Sequence, residues 1–588
     1  MSHRFGRYVL ALDDADLPDR AVIGNKAWSI AHMRSLGLDV PPAFVVTTDA
    51  CREYLENGAL PEGLDAEVGA GLAWLEAQTG RTFGCGANPL LVSVRSGSPV
   101  SMPGMMDTIL DVGACEEVEA ALCAESGDRA FARDTHRRFL EMYGRTVLGL
   151  EFDELPHDQT PAQWRAHIER TCGQVLPRGP RAFLDAAIGA VFASWNGRRA
   201  RRYREHQGIA HTLGTAVTVQ SMIFGNLDDR SGTGVLFSRN PLSGEASPYG
   251  EYLPRAQGED VVSGRFSPRP LAALATALPD VHATLLAAAE KLERAAGDVQ
   301  DIEFTVQCGK LYLLQTRIAK RSPEAALRIA VDMVEEGRIA PAEALRRVSS
   351  EQARQTLAPR LAPGAGEAAE VVARGEPASG GVGIGRVVRD ADEAERAAAR
   401  GEDVVLARRT TNPDDLHGML VARAVVTEQG GATSHAAVVG RALGLPVVVG
   451  CGDGMLDRLA ARVVTVDGHG GLVYEGALVV RAPDERQDPR IQRLTGWAAA
   501  VAPLIAYAEA DAPGERILNL DALPGGEDPA RLAEFVSGYR GARGRVLASE
   551  RGIAAAVEAG LGFVVVPSVL PALLAACAAA QPGTQGVA

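Results

Sequence analysis

Apolar residues at strand and helix spacing divide the first 320 residues of the chain into alternating elements. Helical spacing of Ala27, Ile30 and Met33 predicts a helix that ends at Gly37 and leads into a strand over residues 44–48. Two more strands are predicted over 90–95 and 108–112, and a loop rich in Ser, Gly and Pro separates them. Alternation at Ile302, Phe304 and Val306, followed by a turn at 308–310, predicts a β-hairpin.

The pattern changes after residue 321. Charged helices are predicted over 322–358, and a Pro-, Ala- and Gly-rich hinge follows them. A strand over 422–429, a helix over 434–443 and a strand over 445–450 come next, with Thr433 or Ser434 as the helix N-cap. In the last hundred residues, the apolar run 560–580 contains two prolines, so a strand followed by a helix is favoured over a membrane span.

Composition restricts the classes of protein to consider. A chain of 588 residues with 46% hydrophobic and 23% charged residues is typical of a multidomain globular protein. Its net charge of -14 disfavours nucleic-acid binding. The eight cysteines form no CxxC pair, which disfavours a zinc cluster and a disulfide framework, and the N-terminus resembles no secretory signal. We therefore expect a cytoplasmic protein without a membrane anchor.

Lysine is scarce, because only four of the 60 basic residues are lysines. Lys26 lies in a loop that begins with Gly24, where a compact cation could meet polyphosphate. A surface lysine retained by chance explains the position equally well, so both interpretations stay open without other support.

A single histidine, His435, is placed in the first turn of a predicted helix. Free backbone N–H groups and the positive end of the helix dipole favour a phosphate there. Gly430 and Gly431 allow close approach of a ligand, and a neutral imidazole is a competent nucleophile. The alternative is a half-buried histidine that hydrogen-bonds to the backbone.

The sequence around His435, GGATSHAAVVGRALGLPVVVGC, closely resembles the phosphohistidine signature of the phosphoenolpyruvate-utilising enzymes. LARRTTNPDDLHGM and GEPASGGVGIGRVV upstream resemble further segments of that family. The resemblance implies that His435 is a phosphorylated nucleophile. It also implies a regulatory role for Thr433, because the matching position in plant relatives is phosphorylated. His417 lies within the match, and we assign it a structural role.

The N-terminal part resembles the ATP-grasp domain of the pyruvate phosphate dikinases in particular. The matches occur in family order over about residues 20–320, and they include GNKAWSIAHMRSLGLDVPPAFVVTT, LLVSVRSGSPVSMPGMMDT, RRFLEMYG, SWNGRRARRYRE, GTAVTVQSMIFGN, SGTGVLFSRNPLSGE, YGEYLPRAQGEDVVSG and QDIEFTVQCGKLYLLQTR. The SGSPVSMPGMMDT loop is the most discriminating of these. Where the family has Gly-Gly-Lys-Gly, this chain has Gly24-Asn25-Lys26-Ala27, which predicts a stiffer loop.

This second resemblance implies a set of binding residues. The ATP- and phosphate-binding residues would be Lys26, Arg95, Gly104, Asp107, Thr108, Asp301, Glu303 and Gln315. Glu303 and Gln315 supply hard oxygen ligands suited to Mg²⁺, and Arg317 would meet transition-state charge. A lone Arg or Glu on a strand is usually a surface residue, and only the joint match supports these roles.

Together these resemblances imply a multidomain α/β fold. The expected parts are an ATP-grasp domain over 1–320, a helical linker over 321–365, a swivelling β/β/α phosphohistidine domain over 366–485 and a small α/β segment of unknown role over 486–588. The family's TIM barrel, which binds pyruvate or phosphoenolpyruvate, needs about 250 residues. Only about a hundred remain here, so we expect the barrel to be absent or replaced.

The implied activity is autophosphorylation, in which ATP and inorganic phosphate yield AMP, pyrophosphate and phospho-His435. The final acceptor would be pyruvate on a separate protein or another small molecule. The alternative is a non-catalytic regulatory or scaffold protein derived from a dikinase. A monovalent cation and a homodimer stay open.

Overall fold

A computed structural model describes residues 3–13, 17–100, 102, 106–151, 154–262, 268–357, 360–362, 364–367, 369–481, 483–514 and 516–580 of the chain. Of the predicted site residues, Gly104 lies outside these ranges. Within them, no helix is both long enough and apolar enough to cross a membrane.

The first unit contains two five-stranded antiparallel sheets with helices around them. Its strands are β1 (Val9–Ala11), β2 (Ala43–Val46), β3 (Thr82–Phe83), β4 (Pro89–Leu90), β5 (Val92–Gly97), β6 (Thr108–Val112), β7 (Ala216–Ser221), β8 (Gly232–Phe237), β9 (Tyr249–Pro254), β10 (Arg269–Pro270), β11 (Gln300–Gln307) and β12 (Lys310–Ile318). Its helices are α1 (Arg20–Ser35), α2 (Thr48–Asn57), α3 (Leu64–Thr79), α4 (Glu116–Ser126), α5 (Arg129–Thr146), α6 (Pro161–Cys172), α7 (Pro180–Ser194), α8 (Arg198–Gln207), α9 (Gly258–Val262), α10 (Ala272–Ala277) and α11 (Pro279–Ala296).

Helix α1 lies between these two sheets, whose orders are β1-β2-β7-β5-β6 and β10-β9-β8-β11-β12. One apolar cluster joins Ile23 and Ile30 of α1 to Val45 of the first sheet and to Ile302 and Phe304 of the second. The predicted hairpin is confirmed as β11 and β12. This packing brings the N-terminal part of α1, the end of β5 and one face of the hairpin together.

Three helices connect the first unit to the next: α12 (Pro323–Glu335), α13 (Pro341–Arg347) and α14 (Ser350–Thr356). Each begins at a residue that fits the N-terminal rules. The Ser322 hydroxyl accepts a hydrogen bond from the Ala325 amide, and Ser349 and Gln352 form a capping box. The predicted helical character of this region is confirmed.

The second unit is built on an eight-stranded mixed sheet in the order β14-β21-β20-β16-β17-β18-β19-β15, with parallel strands from β16 to β19. Its strands are β13 (Arg360–Leu361), β14 (Val371–Arg374), β15 (Glu376–Ser379), β16 (Val382–Val388), β17 (Val404–Arg408), β18 (Ala424–Thr427), β19 (Val447–Val449), β20 (Val463–Asp467), β21 (Leu472–Glu475) and β22 (Val480–Arg481). Its helices are α15 (Ala391–Ala399), α16 (Leu416–Val421), α17 (His435–Leu443) and α18 (Met455–Leu459).

Alternation along β17 shows how this sheet is covered on both sides. Val404 and Leu406 belong to one apolar cluster, while Val405 and Ala407 belong to another. The chain enters and leaves this unit through the short pair β13 and β22, which lie antiparallel to each other. Both connections therefore run side by side.

The last described unit is a four-stranded parallel sheet in the order β23-β26-β25-β24. Its elements are α19 (Pro489–Val501), β23 (Ile505–Ala508), β24 (Ile517–Asn519), α20 (Leu532–Phe535), β25 (Gly541–Arg543), α21 (Glu550–Glu558), β26 (Phe563–Val566) and α22 (Val569–Ala579). The strand and helix predicted within 560–580 are confirmed. Leu327 and Val331 of α12 pack with Ile491 and Leu494 of α19 and with Leu574 of α22, so this unit shares a core with the connecting helices.

Candidate active site

A kink in α1 places Lys26 beside the first sheet. Gly24 has φ 74°, and a Cβ there would lie 1.8 Å from the Gly97 carbonyl oxygen, so only glycine fits. The Asn25 amide donates to the Ser98 carbonyl over 3.0 Å, and Asn25 Nδ2 donates to the Pro99 carbonyl over 2.6 Å. Asn25 thus ties the loop to the end of β5, in keeping with the stiffness predicted from the lost glycines.

The β11–β12 hairpin presents four polar side chains on one face. Asp301 is paired with Arg317 and Glu303 with Gln315, and the register shifts between Glu303 and Phe304. Strict alternation would place Gln315 on the same side of β12 as the buried Leu313. Because of the bulge, Gln315 lies on the opposite side, where it is next to Glu303.

Arg95 connects the first sheet to this hairpin. Its Nη2 atom lies 2.9 Å from Glu303 Oε2 and 3.3 Å from Gln315 Oε1. Arg317 Nε donates to Asp301 Oδ2 over 2.8 Å. Two carboxylates and three basic side chains, those of Lys26, Arg95 and Arg317, therefore share one site.

The pKa shifts reflect this crowding of charge. Burial lowers the pKa of Lys26 well below its usual value, assisted by Arg95 and Arg317 and opposed by Glu303. Burial alone would raise the pKa of Glu303, but Arg95, Arg317 and Lys26 hold it below the usual value. Asp301 raises the pKa of Arg317. Glu303 is therefore ionised, and the site as a whole favours an additional anion.

Of the predicted residues, Asp107 directly precedes β6 and Thr108 is its first residue. The Asp107 Oδ1 atom lies 3.9 Å from Arg199 Nη2. Burial raises the pKa of Asp107, and Arg199 opposes this shift. Thr108 is paired with Arg95 in the first sheet and also lines a cavity of about 780 Å³. Arg137 and Arg138 line the same cavity, but both are ion-paired with carboxylates there. Because six carboxylates and four arginines line it, the cavity is not a basic pocket.

His435 is the first residue of α17, as predicted, and Ser434 is the N-cap, although its hydroxyl accepts no capping hydrogen bond. The His435 Nδ1 atom lies 3.1 Å from the Thr411 hydroxyl oxygen. Its Nε2 atom is buried without a hydrogen-bond partner in the described part of the chain. Burial lowers the pKa of His435 to about 4, so the imidazole is neutral near pH 7.

Contacts between the first two units surround the His435 loop. Glu251 on β9 accepts hydrogen bonds from the Ala432 amide at 3.1 Å and from the Thr433 hydroxyl. A Cβ at Gly431 would lie 2.4 Å from Glu251 Oε1, so this glycine admits the carboxylate of the other unit. Around this contact, Tyr249 donates to Glu376 over 2.8 Å.

The structure also shows the surroundings of Thr433 and His417. Thr433 is 5% exposed and bonded to Glu251, so a modifying enzyme would reach it only after the two units separate. The His417 Nε2 atom lies 2.9 Å from Asp392 Oδ1 within the second unit, and its structural role stays a prediction.

Sequence reasoning missed several residues at this interface, including Thr411, Glu251, Arg199 and Arg441. Thr411 and Glu251 lie inside the segments that carry the resemblance, but neither forms a recognisable spacing with His435. Their contacts join residues 24 and 182 positions apart in the sequence.

Two family models match the chain. "Pyruvate phosphate dikinase, AMP/ATP-binding domain" matches residues 20–81 and 60–277, and "PEP-utilising enzyme, mobile domain" matches residues 400–471. They cover the Arg95 site and His435, respectively, although the hairpin β11–β12 lies beyond the first match.

Relatives named pyruvate, phosphate dikinase are similar over most of the chain. The protein of Rhizobium meliloti is 40% identical over 544 residues, which are 84% of this chain and 60% of the relative. That of Clostridium symbiosum is 38% identical, covering 87% of this chain and 62% of the relative, and a chloroplastic one of Zea mays is 43% identical, covering 76% and 50%. The chain thus spans at most about three fifths of these curated relatives, and it belongs to the pyruvate phosphate dikinase family.

Proposed function

We propose that this chain is an ATP- and phosphate-dependent phosphotransferase that phosphorylates its own His435. ATP and inorganic phosphate would be consumed, and AMP, pyrophosphate and phospho-His435 would be formed. The observation that carries the proposal is the Nε2 atom of a neutral His435 at a helix N-terminus, which is buried without a hydrogen-bond partner among the described residues.

The first step would be attack by His435 Nε2 on the β-phosphorus of ATP. The new N–P bond forms as the bond between the β-phosphorus and the α,β-bridging oxygen breaks, and AMP leaves with that oxygen. In the tautomer whose Nδ1–H donates to the Thr411 hydroxyl oxygen, 3.1 Å away, the lone pair lies on Nε2. Backbone N–H groups at the start of α17 favour the charge that arrives on the histidine.

The Lys26–Arg95–Glu303 site would hold the triphosphate. Arg95 and Arg317 offer planar donors for phosphoryl oxygens, and Lys26 is a compact charge between the two sheets. The oxygens of Glu303 and Gln315 point to one side of the hairpin, and Glu303 is ionised, so the pair fits Mg²⁺. Such an ion would neutralise charge on the phosphates.

The second step would use inorganic phosphate. Its oxygen attacks the terminal phosphorus of the pyrophosphorylated histidine, the P–O bond to the inner phosphorus breaks, and pyrophosphate leaves phospho-His435 behind. The loop that carries Asp107 would cover the triphosphate.

The final acceptor would be pyruvate on a separate protein or another small molecule. To reach that acceptor, the second unit would swing away from the first about the paired strands β13 and β22. The parallel sheet that follows shares its core with α12, so it would stay with the connecting helices during that swing.

Isotopically labelled ATP tests the proposal on the purified chain. With Mg²⁺ and phosphate present, label from the β-position should appear on the protein as an acid-labile phosphoryl group, and label from the γ-position should appear in pyrophosphate. Peptide mapping should place the β-label on His435. Protein label from the γ-position alone, or no protein label at all, would favour an ordinary kinase or the scaffold alternative.

A further inference from the structure

Arg441 on α17 is a buried cation at the interface between the first two units. It is 2% exposed, and its guanidinium carbon lies 5.6 Å from the centre of the Phe237 ring on β8. Phe237 is paired with Asp301 in the second sheet. Arg441 therefore reaches from the helix of His435 to the strands of the nucleotide site.

Only part of the guanidinium is hydrogen-bonded. Nη1 donates to the Ala432 carbonyl at 2.8 Å and to the Ala378 carbonyl at 3.0 Å. Nε and Nη2 are buried and have no hydrogen-bond partner among the residues that the structure describes. Arg441 thus supports the His435 loop with one nitrogen and leaves two nitrogens unused.

The surrounding charges do not satisfy these donors. Burial lowers the pKa of Arg441 to about 10, even though Asp301, Tyr249 and Glu251 act in the opposite direction. Glu251 is already bonded to the Ala432 amide and Thr433, and Asp301 is bonded to Arg317. A guanidinium that is desolvated without partners destabilises the state that buries it.

Ala432 links the burial of Arg441 to the docked state, in which the second unit contacts the first. Its carbonyl accepts from Arg441 in its own unit, while its amide donates to Glu251 in the other unit. Phe237 and Glu251 both belong to the first unit, so separation of the units would remove the groups that cover Arg441 from that side. Docking without a ligand therefore buries a cation whose Nε and Nη2 find no acceptor in the part of the chain that the structure describes.

We propose that Arg441 is a further binding residue, whose Nε and Nη2 bind a phosphoryl oxygen when a nucleotide polyphosphate occupies the interface. Docking of the second unit then depends on the polyphosphate, because the ligand supplies an acceptor that none of the described residues provides. This inference rests on the proposed function, since it assumes that ATP binds at the Arg95 site. Charge-assisted hydrogen bonds to phosphate are strong enough for one of them to shift docking about tenfold.

Small-angle scattering tests the inference without any reaction. The probe is α,β-methylene-ATP with Mg²⁺, which cannot be cleaved at the bond that His435 would break, and compaction is followed as the analogue is titrated. The wild-type chain should compact with the analogue and not with AMP, which lacks the polyphosphate. Arg441→Gln should require about tenfold more analogue, and without ligand it should be at least as compact as the wild type.

Two further variants separate binding from structure. Arg441→Lys keeps the charge with fewer donors, so its response should lie between those of the wild type and Arg441→Gln, and it also serves if the glutamine variant fails to fold. Arg423→Gln removes an exposed arginine that pairs with Asp403 in the same unit, and it should behave as the wild type.

Equal titration midpoints for the wild type and both Arg441 variants would overturn the inference, as would compaction of the wild type by AMP or no compaction by the analogue. Because the analogue transfers no phosphoryl group, compaction without any later labelling of His435 by ATP would contradict the proposed function alone.

Discussion

The two halves of the interface differ in how completely their polar groups are paired. At the nucleotide side, Arg95 bonds to Glu303 and Gln315, and Arg317 bonds to Asp301. At the histidine side, the His435 Nε2 atom and two nitrogens of Arg441 are buried without partners in the described residues.

The difference indicates which half is assembled before substrate arrives. Paired charges on two sheets keep their positions in the absence of a ligand, as preorganised electrostatic sites require. Unpaired buried donors and acceptors are costly, so under the proposed function the histidine side would be completed when phosphoryl groups reach it. A paired nucleotide side and an incomplete histidine side fit the proposed transfer of phosphoryl groups between them.

The largest effect is expected from His435→Ala. Removal of the nucleophile should abolish acid-labile label from β-labelled ATP, while the dissociation constant for ATP, measured by calorimetry, should change by less than about threefold because the Arg95 site lies on the other unit. His417→Gln is the matched control and should label normally. Equal label on His435→Ala and on the wild type would refute the assignment of the nucleophile.

The second-largest effect is expected from truncation of Arg95 on the nucleotide side. Arg95→Met removes the residue that joins β5 to the hairpin and leaves Glu303 with less positive charge around it. We expect the rate of His435 labelling to fall on the order of 10²-fold, as for loss of a preorganised donor. Single-turnover labelling measures this rate, and Arg181→Met, which removes a surface ion pair, is the control. A loss of less than about threefold would mean that the paired cluster is only structural.

Thr433→Asp tests whether docking can be switched off from the histidine side. The new carboxylate would face Glu251, whose pKa is already raised by burial, and like charges in a buried contact repel. Labelling of His435 should slow about tenfold or more, with ATP affinity unchanged. Thr433→Val loses only the hydrogen bond and should be affected less. A normal labelling rate in Thr433→Asp would count against regulation through this residue.

Asp111 lies on β6 of the first unit and is an exception to the pairing of polar groups there. It is 1% exposed, and its Oδ1 atom has no partner among the described residues. Burial, assisted by Glu259, raises its pKa to about 8 against the effect of Arg138. The folded state thus holds a proton that the unfolded state releases near pH 4, and stability falls between about pH 4 and pH 8 by at most about 1.4 kcal/mol per pH unit.

Asp111→Asn removes this titration and keeps a residue that tolerates the observed φ of 57°. Denaturant unfolding at pH 6 and at pH 8 should show a smaller loss of stability in the variant than in the wild type. Parallel losses in both proteins would mean that Asp111 is ionised in the folded state throughout this range.

Sequence patterns predicted the elements of both halves, including the hairpin and the helix that begins at His435. They could not predict the register shift beside Glu303, because strict alternation places Gln315 on the same side as Leu313. They also could not predict the contact between Glu251 and Thr433, which joins two separate units and leaves no periodic signal. The family resemblance identified the candidate site residues, whereas the contacts between them became visible only in the folded structure.

The smallest effect is expected from Asn25→Gly, which restores a glycine before Lys26. Asn25 Nδ2 donates to the Pro99 carbonyl, and glycine would lose this bond and add freedom to the unfolded chain. Stability should fall by about 1 kcal/mol, and the loop should become easier to displace. If rigidity of the nucleotide side contributes to affinity, Asn25→Gly should bind ATP a few-fold more weakly than the wild type. Calorimetry measures this difference. Ser35→Gly, at the far end of the same helix, gives the cost of a glycine away from the site. Tighter ATP binding by Asn25→Gly would show that rigidity here opposes binding, and the contrast between the two halves would then rest on the ion pairs alone.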